Sequence, residues 1–123
     1  MARQTDQAEA PESTDLQGWR TVIQQGRLKD FRPEDIAAAF QDLGYQDAQV
    51  QSDLAKHLSD IIIGILRRRV SFGWPDQGWE IIMNTHAVIF KGLLDSGTPD
   101  GRALRKAFGL RVLYRLKDAI ARF

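Results

Sequence analysis

A chain of 123 residues with 17 Lys/Arg, 16 Asp/Glu and no cysteine has the size of one domain and is long enough to bury a core. No apolar run approaches the ~18 residues a membrane span needs, the longest being Ile61 to Leu66 with Gly64 inside it, and no signal-peptide-like apolar stretch follows Met1. Without cysteine there is neither a disulfide framework nor a thiolate metal site, so the expectation is a soluble, cytoplasmic protein.

The net charge of +1 hides a polarity along the chain. Residues 1–66 hold six basic and eleven acidic residues (−5), whereas residues 67–123 hold eleven and five (+6). Such asymmetry suits a surface that faces an acidic partner or nucleic acid, and equally an acidic half that neutralises a basic one.

Residues 1–14 are polar, lack aromatics and contain Pro11, which predicts a disordered tail before a single helical domain over residues 15–123. Thr14 and Gln17 have capping-box spacing, and Leu16, Trp19, Val22 and Ile23 form an apolar stripe that ends at Gly26. Residues 27–32 connect to a second helix, opened by Pro33 with Glu34 and Asp35 and closed by Gly44; Ile36, Phe40 and Leu43 are its stripe.

A third helix is predicted from Asp47 to Val70 on Val50, Leu54, Leu58, Ile61, Ile62, Ile65 and Leu66, with Arg67, Arg68 and Arg69 at its negative end. Gly73 and Pro75 stop it. Asp76 is expected to cap a fourth helix with Trp79, Ile82, Met83, His86, Ile89, Phe90 and Leu93 on one face. After Ser96, Gly97 and Pro99, a fifth helix capped by Asp100 is predicted to run from Gly101 to Phe123, with Leu104, Phe108, Val112, Leu116, Ile120 and Phe123 as its stripe. No segment alternates with period two, so the expected class is all-α, a compact bundle of about five helices.

Catalytic or metal-binding patterns are scarce. Asp53 and Asp60 bracket His57 at helical spacing, which reads as a solvated polar face; His86 lies on an apolar stripe and is expected to be a hydrogen-bonded core or interface histidine. No phosphate-cradling glycine pattern or nucleophile motif is present; no enzyme activity, metal or cofactor is expected. A helix-turn-helix over the second and third helices is disfavoured, because the recognition position opens with Asp47 and Asp53 among glutamines, where aspartates repel phosphate. The last helix is the basic one: Arg102, Arg105, Lys106, Arg111, Arg115, Lys117 and Arg122 surround one interior acid, Asp118.

The order of features resembles region two of bacterial RNA polymerase sigma factors, over residues 54–123. The middle helix runs Glu80, Ile81, Ile82, Met83, Asn84, Thr85 to Phe90, matching the family's acid, aliphatic pair, threonine and closing aromatic; Leu104, Arg105, Phe108, Val112, Asp118, Ile120 and Arg122 match its last helix. Met83 and Asn84 replace the family's polar pair, Ala107 stands where Trp is usual and Tyr114 where Asn is usual.

The resemblance implies a non-enzymatic transcription-initiation module. Core RNA polymerase would meet Asp76, Gln77, Glu80, Met83 and Asn84. Promoter DNA would meet Arg102, Arg105, Lys106, Arg111, Tyr114, Arg115, Lys117 and Arg122, cations positioning phosphates and the tyrosine stacking on bases. The alternative expectation is a helical protein-interaction or assembly module with no role on DNA.

Overall fold

The computed structural model describes residues 9–70 and 73–122. Among them are six α-helices and no strand: α1 (Leu16–Gln24), α2 (Pro33–Leu43), α3 (Ala48–Arg69), α4 (Trp79–Leu93), α5 (Pro99–Lys106) and α6 (Phe108–Arg122), with 3-10 turns at Leu28–Asp30 and Pro75–Gly78. None of the described helices is long and apolar enough to cross a membrane. Chain contacts divide into two compact units, Met1–Leu58 and Ser59–Phe123.

In the first unit, Trp19 and Val22 of α1, Ile36, Ala37, Ala39, Phe40 and Leu43 of α2, and Val50, Leu54 and Leu58 of α3 are buried. Asp15, one residue later than the predicted capping box, caps α1 by accepting a hydrogen bond from the Gly18 amide at 2.9 Å. The expected tail over residues 1–14 lies largely outside the described residues, but its inner end is anchored: the Glu12 carbonyl accepts from the Trp19 indole at 3.0 Å and Ser13 Oγ bonds the Asp42 carboxylate. Pro33 opens α2 and Gly44, at φ 55°, ends it as predicted. Asp47 accepts from the amides of Gln49 and Val50, serving as the start of α3, and also receives Arg20.

In the second unit, α4 packs on both α5 and α6, and these two pack on each other. Ile62, Leu66 and Val70, then Ile81, Ile82, Ile89 and Leu93, then Leu104, Phe108, Val112 and Leu116 are buried. Asp76 does not cap α4. It lies with Gln77 and Gly78 in a run of left-handed residues, φ 60°, 58° and 76°, strain of roughly 1 kcal/mol for each non-glycine member. The core face of α4 is also turned from the predicted one: Ile81, Thr85 and Gly92 are buried, whereas Trp79 and Met83 are exposed.

The largest departure is in the last helix, which is two. Thr98, not Asp100, caps α5, accepting from the Gly101 amide at 3.0 Å, and the chain leaves helical geometry at Ala107 (φ −149°, ψ 74°). Leu104 and Phe108 keep their four-residue spacing across the break and both stay buried, so hydrophobic periodicity alone passes through it unnoticed.

Candidate functional site

All the predicted partner residues lie on the second unit. This unit, residues 59–123, holds eleven basic and six acidic residues (+5), against six and ten (−4) in residues 1–58.

The break at Ala107 brings Asp100 of α5 back onto α6. The Asp100 carboxylate, 11% exposed, accepts from Arg111 Nε at 2.6 Å and from Arg115 Nε and Nη2 at 3.0 and 2.9 Å. On one straight helix Arg111 would stand about 16 Å along the axis from Asp100, at ~1.5 Å per residue, too far for an ion pair. Burial pushes the Asp100 carboxyl up, but hydrogen bonds from Arg115 and Arg111 outweigh it and hold it below the ordinary aspartate range.

Two glycines let the start of α5 lie close against the end of α4. A Cβ on Gly101 would lie 2.1 Å from the Asp95 carbonyl oxygen, and one on Gly92 would lie 2.6 Å from Asp100 Cβ. The network continues outward, Arg115 to Asp118 at 3.5 Å and Arg122 to Asp118 at 3.3 Å. Three arginines thus share two aspartates, leaving net +1 where the sequence alone shows a row of cations.

Tyr114, 56% exposed, has Arg111 4.5 Å and Arg115 5.8 Å from its ring centroid. Arg111, Tyr114, Arg115 and Arg122 are therefore one assembly, internally paired. Arg105 is half-buried, while Arg102, Lys106 and Lys117 are exposed, Arg102 donating to the Gly97 carbonyl.

All of Asp76, Gln77, Glu80, Met83 and Asn84 are exposed. Around them lie apolar side chains that a soluble helix would ordinarily bury: Trp79 at 42%, Met83 at 39% and Val88 at 44% exposure. Trp79, on the apolar face expected for this helix, is met instead by Arg67, which stands 5.4 Å from its ring centroid and donates to the Gln77 carbonyl. Glu80, Asn84 and Val88 line a groove of about 500 Å³ whose other wall is Arg115, Asp118, Ala119 and Arg122.

His86 matches its expectation as a satisfied, half-buried residue: its Nε2 is 2.7 Å from Ser59 Oγ and its ring stacks on Phe90 at 5.6 Å between centroids. Burial lowers its pKa.

Sequence reasoning missed Asp100 as the counter-charge, since no pattern announces a contact eleven residues away. It could have found Leu110, an apolar residue off the stripe of Phe108, Val112 and Leu116, now 73% exposed. Comparison with known protein families, curated proteins and solved structures finds no match to this chain.

Proposed function

We propose that the second unit is a non-enzymatic protein-docking module of sigma-factor-like design, meeting core RNA polymerase through the outer face of α4. The observation that carries this reading is the exposure of Trp79, Met83 and Val88 on that face, interleaved with Glu80 and Asn84. Covering the exposed part of each apolar side chain would contribute roughly 0.5–1 kcal/mol, and the aromatic and methionine anchors are of the kind that dominate protein interfaces. The polymerase itself is taken from the resemblance of residues 54–123 to sigma region two.

The test is co-migration of the full chain with bacterial core RNA polymerase on a sizing column at low and moderate salt. Co-migration that survives moderate salt and is lost in Met83→Glu/Val88→Glu, with helicity unchanged, supports the reading. Absence at both salts overturns polymerase as the partner.

A second reading, binding to DNA, is favoured by the exposure of Arg68, Arg69, Arg102, Lys106 and Lys117. It is the weaker one, because Arg111 and Arg115 already share Asp100 and the Arg122 charge is shared with Asp118. A DNA complex would weaken steeply between low and moderate salt.

A further inference from the structure

We propose that the junction of α5 and α6 is a separate docking cleft for an acidic peptide segment carrying a large apolar anchor. It stands apart from the α4 face, and neither depends on the other.

The non-helical residue Ala107 opens a cleft of about 320 Å³ lined by Ala103, Ala107, Leu110, Arg111 and Tyr114. Small side chains at 103 and 107 leave room for an incoming side chain. Leu110 is the most exposed large apolar side chain among the described residues of the unit, at 73%, and Tyr114 stands beside it at 56%. Their exposure has no use in the core, where Phe108, Val112 and Leu116 already face inward.

The wall is also rigid before any partner arrives. Arg111 lies 4.5 Å from the Tyr114 ring centroid and is itself held by Asp100 at 2.6 Å, so little side-chain entropy remains to be lost on binding.

Charge selects the partner. Exposed Lys106 directly precedes Ala107 of the cleft's lining, and exposed Lys117 lies three residues after Tyr114, about one helical turn along α6. The two acids of α5 and α6, Asp100 and Asp118, are both engaged in ion pairs. The rim is therefore basic and the floor apolar, which complements alternating acidic and apolar side chains. Nucleic acid fits less well: Arg111 lies over the Tyr114 ring and already shares its charge with Asp100, and the rest of the lining is the methyl and isobutyl groups of Ala103, Ala107 and Leu110.

The test uses the full chain and a fluorescent amphipathic peptide of about fifteen residues, with Asp and Glu on one face and Leu and Phe at three- and four-residue spacing on the other. Anisotropy should show saturable binding that falls about tenfold or more in Leu110→Ala/Tyr114→Ala and in Lys106→Ala/Lys117→Ala. A peptide with its Leu and Phe changed to Ser should not bind, and Met83→Glu/Val88→Glu should bind like wild type, which separates this cleft from the α4 face. Circular dichroism of each variant, with Leu110→Ser as a single exposed change, controls for folding. The proposal is overturned by no binding, by binding indifferent to Leu110 and Tyr114, by equal competition from single-stranded DNA of the same charge, or by self-association that Leu110→Ala abolishes.

Discussion

Asp100 Oδ2 accepts a hydrogen bond from Arg115 Nε at 3.0 Å, across the break that separates α5 from α6. With the bond from Arg111 Nε to Asp100 Oδ1 at 2.6 Å, it makes two arginines available in principle to phosphate part of the molecule's internal structure.

Asp100→Asn should therefore destabilise the chain by about 1–3 kcal/mol, since the Arg111 and Arg115 side chains, 22% and 29% exposed, would lose a charged acceptor in a half-buried setting. Urea unfolding measures this. The same variant should bind heparin more tightly than wild type, with a steeper salt dependence, because two guanidinium groups lose their counter-charge. Unchanged stability would show that the ion pair contributes nothing measurable.

Gly101→Ala should cost more than an ordinary helical substitution. Its Cβ would meet the Asp95 and Gly92 carbonyl oxygens at 2.1 and 2.8 Å, backbone atoms that cannot turn aside, so about 1–3 kcal/mol is expected from overpacking. Gly109→Ala, whose Cβ would meet nothing within 4 Å, serves as the control. Thermal unfolding of the two variants should differ by several degrees.

His86 makes stability fall on the acid side. Burial lowers its folded-state pKa below the ordinary histidine value of about 6.5. Its contribution is thus complete above that value and lost as pH falls through the folded pKa. Unfolding midpoints at pH 7.5 and 5.5 should separate in wild type and converge in His86→Gln. Asp100, also depressed, adds a second loss below the ordinary aspartate range. NMR titration of the His86 ring checks the first step directly.

Trp19→Ala should cost about 3–5 kcal/mol in the first unit. The side chain is fully buried, packs edge-on against Phe31 with centroids 5.9 Å apart, and donates to the Glu12 carbonyl. Trp19→Phe should recover most of the loss, leaving about 1 kcal/mol for the missing hydrogen bond. Urea unfolding followed by circular dichroism distinguishes the two.

The helical class was legible because periodicity and caps are local. Pro33 with Glu34 and Asp35, Gly44, and the spacing of Leu54, Leu58, Ile62 and Leu66 act within one or two turns, so α2 and α3 fall where the sequence places them. The same signals misled at two points. Asp76 has the chemistry of a cap but stands in a left-handed turn, and Trp79 and Met83 extend the apolar stripe of α4 yet remain exposed, because the buried face is centred on Ile81, Thr85 and Ile89.

By itself, then, the sequence determined the first four helices, the buried stripes on α2 and α3, the burial of Leu104, Phe108, Val112 and Leu116, and the basic character of the C-terminal segment, because these depend on neighbours three and four residues apart. Only the tertiary structure decided what those cations do. The break at Ala107 folds α6 against α5, Gly92 and Gly101 let the start of α5 close on the end of α4, and Asp100 meets Arg111 and Arg115. The sign of a surface is a property of which charges touch, and touching is settled by packing between elements, which no local spacing records.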